Sequence, residues 1–510
     1  MAEDDTSTAP TESWLAYRPD GSAREVLALV IVWSLAEPGR VGEVALLPKD
    51  GVRRLLGRGG GKPAEEPERI TFFRQRPGTL EPREPLGGQG ISRRQLLMQV
   101  CGDEMEVERV GRCALLVNGV TMDRAVVAPG DTLMLRNELI LLCGRRPLRL
   151  ANLEHEGSGV SPESIPFGGP DEHGIVGESP EVGELRGQLP FLARRAGHVL
   201  VQGPSGAGKE LVSRALHQLS PRAHRPIVAR NAATFPTGLI DAELFGNIKD
   251  YPNAGMRERR GLIGEADGST LFLDEIGELP GELQAHLLRV LDGEGSYQRL
   301  GEDRPRQADL RLVAATNRAT EQLRPEFLAR LALRITVPGL DERREDVPLL
   351  ARHLLRRAAS QDPSLGERLF KGGDVAAGEP RVDPQLMDML VRRRYSQHVR
   401  ELESFLWQAM TGSRGRHLAL TGALREALEA PHQLEARQRE ELTPEVIQAC
   451  LDRHGGSRTK AYRELGLRNR HVLYRLIKRH GLRADDAERE SAPPPQEAPG
   501  LDRGGGEAEN

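Results

Sequence analysis

Two rhythms of apolar and polar positions divide the chain. From about Glu25 to Leu150, apolar runs of strand length recur (LALVIVW, GEVALL, QLLMQV, ALLVNG, DTLMLR, ELILLC), each closed by Gly, Pro or charge. Short runs at that spacing predict an all-β sandwich. From about residue 175 to Pro338, apolar strands alternate with helical patterns, which predicts an α/β layer. Charged helices follow to about Ser413. Near the end, Val446, Ile447, Cys450 and Leu451 mark the apolar side of a helix closed by Gly455–Gly456. A short second helix is predicted over Thr459–Leu465, and a third from near Asn469 through Lys478. That succession is a helix-turn-helix layout.

The expected organisation follows from these rhythms. Residues 1–24 are polar and expected to be disordered, 25–150 form the sandwich, and 151–174 a polar linker. Residues 175–340 form the α/β subdomain, 341–413 a helical lid, and 414–441 a second linker. The helix-turn-helix occupies 442–484, and the tail 485–510, with APPPQEAPG and GGGEAEN, has a composition that builds no core. No internal repeat is visible.

Composition narrows the reading only in places. With 510 residues, about three or four folded units are expected at roughly 150 residues each. The net charge of −4 neither suggests nor excludes a nucleic-acid partner, so local charge decides. From Arg453 to Arg483 there are ten Lys/Arg and one acid, a strongly basic face. Cys101, Cys113, Cys143 and Cys450 show no metal-ligand spacing and make no disulfide framework. The acidic start is no signal peptide, and the most apolar run, Val26 to Ala36, is too short to cross a bilayer. A cytoplasmic protein without a membrane partner is expected.

Chemistry is densest in HVLVQGPSGAGKELVSRALHQL. A buried strand meets a Gly-rich loop and then a helix, the arrangement in which backbone N–H groups and a helix N-terminus wrap phosphates. Gly203, Pro204, Ser205, Gly206, Ala207 and Gly208 supply the loop, and Lys209 would reach the β- and γ-phosphates. Glu210 stands where Ser or Thr commonly holds magnesium. Further on, the apolar strand of GSTLFLDEIGELP ends in Asp274–Glu275. An acid pair at a strand's carboxyl end suits a magnesium ligand and a base for water. Together these motifs predict ATP and Mg2+ as cofactors.

IVGESP, GPSGAGKELV, AELFG, DGSTLFLDEIGELP, LRLVAATN and the VREL of HVRELE resemble the AAA+ domain of bacterial enhancer-binding proteins, the sigma-54-dependent activators. The resemblance spans about residues 175–410. It makes Glu210 an expected residue, because that family's P-loop carries Glu after the Lys. It further implies that Asp274 holds magnesium, Glu275 polarises the attacking water and Asn231 restrains that Glu. By the same resemblance Asn317 senses the γ-phosphate, Arg400 is the lid arginine, and Arg324 and Arg330 are arginine fingers. Fingers that reach a neighbour's ATP imply a ring, a hexamer in the family.

One loop departs from the pattern. Where the family carries GAFTGA, which touches sigma-54, this chain has Asp250, Tyr251, Pro252, Asn253, Ala254 and Gly255. Phe and Thr are gone, Pro stiffens the segment and Asp adds charge. Contact with sigma-54 RNA polymerase is therefore in question.

The two ends resemble further modules. Residues 442–483 are similar to the Fis-type helix-turn-helix, which implies binding to an upstream promoter site. Arg468, Arg470, His471, Arg475 and Lys478 are its candidates for groove and phosphate contacts. In the β-rich region LLGRGG, ISRRQ and LLVNG resemble a forkhead-associated sandwich, which implies a phosphothreonine protein as partner. Arg58, Ser92, Arg93 and Arg94 fall at or beside its phosphate-gripping positions, where a guanidinium fork suits phosphate. Gln95 replaces that fold's bracing His, and Arg112–Cys113 replace its Thr-Asn.

The reading is a sensor, an ATP-hydrolysing AAA+ motor and a DNA anchor, together a transcriptional regulator of the sigma-54 activator type. The main rival is a sigma-54-independent DNA-binding regulator that uses ATP only as an assembly switch. A remodeller of proteins outside transcription fits the basic C-terminal unit less well.

Overall fold

The computed structural model describes residues 25–59, 67–151, 165–236, 238–251, 253–318, 323–430 and 443–454, with isolated positions 461, 464, 465, 473, 477 and 482. The expectations for 1–24, for the tail 485–510 and for Pro252 lie outside the described residues. The chain divides between Ala430 and Pro431 into two compact units.

The first unit opens with the sandwich. Its strands are β1 (Glu25–Ser34), β2 (Val44–Leu47), β3 (Arg53–Leu56), β4 (Glu68–Arg69), β5 (Phe73–Arg76), β6 (Thr79–Pro82) and β7 (Leu96–Cys101). They continue as β8 (Glu104–Arg109), β9 (Leu115–Val117), β10 (Val120–Met122), β11 (Arg124–Val127), β12 (Thr132–Leu135) and β13 (Leu139–Pro147). One sheet has the order β10-β9-β12-β13-β1-β2-β5-β6 and the other β11-β8-β7-β3-β4. Strand β1 is apolar from Val26 to Trp33 because both of its faces are covered there. Leu27, Leu29 and Ile31 enter the core shared with Leu96 and Met98 of the second sheet, while Val26, Ala28 and Val30 pack with Val44, Leu46 and Leu148.

The α/β subdomain follows. Its parallel sheet is built from β14 (Val199–Gln202), β15 (Val228–Asn231), β16 (Thr270–Asp274), β19 (Arg311–Thr316) and β20 (Leu333–Thr336), in the order β15-β16-β19-β14-β20. A small hairpin of β17 (Ser296–Tyr297) and β18 (Arg306–Gln307) stands apart. The helices are α1 (Pro180–Arg194), α2 (Lys209–Gln218), α3 (Ile240–Phe245), α4 (Gly261–Glu265), α5 (Gly281–Leu291) and α6 (Pro325–Arg330). Helix α1 starts where Ser179 accepts a hydrogen bond from Val182 N, the usual side-chain N-cap.

The lid comprises α7 (Val347–Gln361), α8 (Pro363–Leu369), α9 (Pro384–Arg392), α10 (His398–Gly412) and α11 (Gly422–Glu429). Helix α11 falls in the stretch expected as a linker. Its Leu424 and Leu428 are buried in the lid core, spaced as one helical face requires. That core is continuous with the sandwich core, so Leu349, Leu350 and Leu390 belong to one apolar cluster with Leu29 and Leu141.

In the second unit, α12 (Pro444–Arg453) is capped by Thr443, whose hydroxyl accepts from Val446 N. Ile447, Cys450 and Leu451 are buried against Ala461, Leu473 and Ile477. Val446 is 44% exposed, so it does not belong to the apolar face assigned to it. The second and third predicted helices lie largely outside the described residues. Among the described residues, no helix is long and apolar enough to cross a membrane.

Candidate nucleotide site

The carboxyl ends of neighbouring parallel strands converge on one cavity of about 460 Å³. Strand β14 delivers the loop Gly203–Gly208, and α2 begins at Lys209. Gly206 has φ +79°, and a Cβ there would lie 2.2 Å from Gln397 O. Gly208, at φ +109°, turns the chain into α2. Lys209 is 6% exposed, and its ammonium donates to Gly203 O at 3.1 Å and Pro204 O at 3.3 Å. Burial lowers its pKa, while the nearby Glu275 and Asp274 carboxylates oppose the fall. Its amino group is thus held by carbonyl oxygens of the loop that precedes it.

Asp274 ends β16, and its Oδ1 accepts a hydrogen bond from Glu275 N at 2.9 Å. Glu275 has φ +51°, a left-handed conformation that costs a non-glycine residue roughly 1–2 kcal/mol. The turn places both carboxylates in the wall of the cavity that Lys209 also lines. Asn231 ends β15 in register with Asp274. Its Oδ1 accepts from Ala233 N at 2.9 Å, capping the turn after the strand. Asn317 directly follows β19, the strand between β16 and β14. The predicted catalytic acids, the restraining Asn, the sensor Asn and the P-loop thus share one edge of the sheet.

The lid closes the cavity from the other side. Val399 N donates to Gly206 O at 3.2 Å, and Arg400 reaches Ser205 Oγ at 3.2 Å. Glu210 lines the cavity mouth and pairs with Arg214 one turn on, at 2.8 Å. Oxygen donors of the Asp274 type suit Mg2+, a hard cation. A bound Mg2+ would neutralise phosphate charge, and Asp274 is a carboxylate that could hold it.

Arg324 and Arg330 lie elsewhere. Arg324 precedes α6 and donates to Gly281 O at 3.2 Å, and Arg330 ends it and pairs with Asp292 at 2.6 Å. Neither lines the cavity of its own chain. Sequence reasoning missed Arg343, which lines the cavity and donates to Ala207 O at 3.2 Å. Burial lowers its pKa and Asp346 opposes that shift. In the sequence it is one charge in DERRED, with nothing to single it out.

The sandwich loops bring Arg58, Ser92, Arg93 and Arg94 to one end. Arg58 N donates to Ser92 O at 3.0 Å, and a Cβ on Gly57 would sit 2.1 Å from Arg93 O. Gln95 is fully buried and ties this loop to the next: its Oε1 accepts from Ser92 N at 3.2 Å and its Nε2 donates to Cys113 O at 2.8 Å. The residue that departs from the pattern therefore still braces the loop. Arg93, Arg94 and Arg112 are exposed there. The DNA candidates Arg468, Arg470, His471, Arg475 and Lys478 lie outside the described residues. Cys450, read as lacking ligand spacing, comes within 4.8 Å of ligand atoms of His454 and Glu464. Glu464 is already paired with His454 and Arg453.

A P-loop before a helix, an acid pair at the end of a strand one place removed in the same parallel sheet and a lid that touches the loop define an AAA+ ATPase. Residues 175–340 match the family model described as the Sigma-54 interaction domain. The transcriptional regulatory protein ZraR of Salmonella typhimurium is 35% identical over 323 residues, 61% of this chain and 70% of that one. The DNA-binding transcriptional regulator NtrC of Escherichia coli K12 is 41% identical over 216 residues, 41% of this chain and 46% of that one. The crystal structure of NtrX from Brucella abortus in complex with ATP has 29% identity and a TM-score of 0.43, covering 62% of this chain and 70% of that one. The chain belongs to the sigma-54-dependent activator family of transcriptional regulators.

Proposed function

We propose that this chain is a ring-forming, ATP-driven transcription regulator whose motor addresses a target other than sigma-54. The observation that carries the reading is the loop at 250–255. Asp250 Oδ1 accepts a hydrogen bond from Gly255 N at 2.8 Å, and Asp250 N donates to Met256 O at 2.9 Å. Asn247 donates to Tyr251 O and Arg257 O at 3.2 and 3.0 Å, at the base of the loop. The ring of Tyr251 lies against Gly301, where a Cβ would approach it to 2.6 Å. Tyr251 is 43% exposed and rests one side of its ring on Gly301, so the exposed segment is tied between Asp250 and Gly255 and lacks the Phe and Thr of a tip that reaches out to a sigma factor.

In this reading Lys209 binds phosphate, Glu275 orients water and Asn231 restrains Glu275. Asn317 reads the γ-phosphate, and Arg324 and Arg330 act on the neighbouring subunit's ATP. The basic segment 442–484 anchors the ring on DNA, and the loops of Arg58, Ser92, Arg93 and Arg94 receive a phosphothreonine. The forkhead-associated and Fis-type assignments rest on the motifs quoted above, supported by the two-sheet sandwich and the capped first helix. The rival reading, ATP as an assembly switch, draws on the same altered loop and differs in requiring no turnover. Genome-wide mapping of bound DNA tests the proposal: sites away from sigma-54 promoters are expected, and sites confined to them would overturn it.

A further inference from the structure

Two arginines of the sandwich grip segments that continue into the walls of the nucleotide cavity. The first wall is the segment entering α1. Ile175 and Val176 line the cavity, and two residues on, Glu178 is buried with its carboxylate gripped by Arg76 of β5. The grip is bidentate, at 2.9 and 2.6 Å. Glu178 Oε1 also accepts from Gly168 N at 2.7 Å. The second wall is the connection from the α/β subdomain to the lid, where Glu345 accepts from Arg146 of β13 at 2.6 Å. Arg146 is 1% exposed, and it also donates to Glu178 O at 3.4 Å.

The two walls are stitched to each other as well. Asp346 Oδ1 accepts from Glu178 N at 2.7 Å and from Ser179 N at 3.1 Å. A Cβ on Gly177 would lie 2.5 Å from Asp346 Oδ2, so the two segments of this junction approach closely. Lower down, Thr132 of β12 donates to Asp388 of α9 at 2.5 Å, with both side chains buried. Buried bidentate ion pairs have one arrangement, and losing one partner leaves an uncompensated charge that the local backbone moves to solvate.

We propose that Arg76 and Arg146 are positioning residues of the ATPase, holding residues 175–178 and 345–346 in the geometry that receives the nucleotide. The sandwich is then a structural part of the ATP site and not a module tethered to it. The wall they hold is apolar, formed by Ile175 and Val176 with Leu350 and Leu354 of the lid, while the phosphate machinery lies at Lys209 and Asp274. Ground-state binding, and not the chemical step, is what such a wall supplies.

The test is steady-state ATP hydrolysis by the full-length protein, at protein concentrations where assembly is complete. Arg76→Ala is expected to raise KM for ATP about fivefold or more while kcat stays within about twofold. Arg76→Lys should recover part of the loss, and Glu178→Gln should reproduce it. The double variant Arg76→Ala/Glu178→Gln should be no worse than either alone. Arg54→Ala, which removes a buried arginine of β3 paired with Asp50, controls for general damage to the sandwich and should leave KM unchanged. Equal KM in wild type and Arg76→Ala, or a matching rise in Arg54→Ala, would overturn the proposal. If Arg146→Ala does not fold, the Arg76 and Glu178 variants decide the question alone.

Discussion

Arg330 Nε lies 2.6 Å from Asp292 Oδ1, at the C-terminal end of α5 and within its own subunit. Both side chains are half exposed, so water screens the pair and it is easily exchanged for another partner. An arginine that acts across a subunit boundary must be available in this way. Mixing Lys209→Ala with Arg330→Ala subunits, each inactive alone, should restore part of the ATPase rate, because some interfaces then combine an intact loop with an intact finger. Mixed rings without recovery would assign Arg330 to its own subunit.

The two strand-end roles separate experimentally. Lys209→Ala removes the buried ammonium from the loop and should abolish nucleotide binding. Glu275→Gln should bind ATP and hydrolyse it about 100-fold more slowly or worse, the scale of losing a positioned base. Equal ATP affinity in wild type and Lys209→Ala, by calorimetry, would refute the assignment.

A third prediction comes from the junction of sandwich and lid. Burial pushes the Glu345 carboxyl up to about 7, although Arg146 pulls it down; Asp346 and Glu181 add to the rise. An acid whose pKa is raised on folding binds its proton more tightly in the folded state. Its contribution is therefore full below the unfolded value of 4.5 and is lost as the pH climbs through about 7. Glu345→Gln fixes the neutral form. Its Tm relative to wild type should become progressively more favourable from pH 5 to pH 8. A difference that is flat with pH would contradict this account of Glu345.

The DNA anchor makes a separate prediction. Deleting residues 442–510 should abolish site-specific DNA binding and leave ATPase activity measurable. Intact protein should lose affinity steeply with salt, with a logarithmic slope of about −0.9 per phosphate contact. Binding retained after the deletion, or indifferent to salt, would place the anchor elsewhere.

The sequence made some of this legible and hid the rest for identifiable reasons. Apolar runs revealed β1, β2, β7, β9, β12 and β13. Strands such as β5 (FRQR) and β8 (EMEVER) are mostly polar or charged, because much of their surface serves ion pairs, and no apolar run marks them. The P-loop and Asp274–Glu275 could be read because phosphate chemistry demands particular residues at fixed spacing. Arg76, Arg146 and Arg343 could not, because their partners lie 102, 199 and 136 positions away. Helix α11 reads as linker in the sequence, since its eight residues hold only two buried leucines. Gln95 was legible as a departure but not as a working brace, which depends on the two loops it joins.

The central claim is a working motor with a changed target, and open-complex formation with purified sigma-54 RNA polymerase tests it most directly. The unmodified protein should hydrolyse ATP and give little or no open complex at a sigma-54 promoter. Replacing Asp250 to Gly255 by GAFTGA removes the Asp250–Gly255 closure and restores the aromatic and Thr tip, so open complexes should appear or increase. Robust open-complex formation by the unmodified protein would contradict the account.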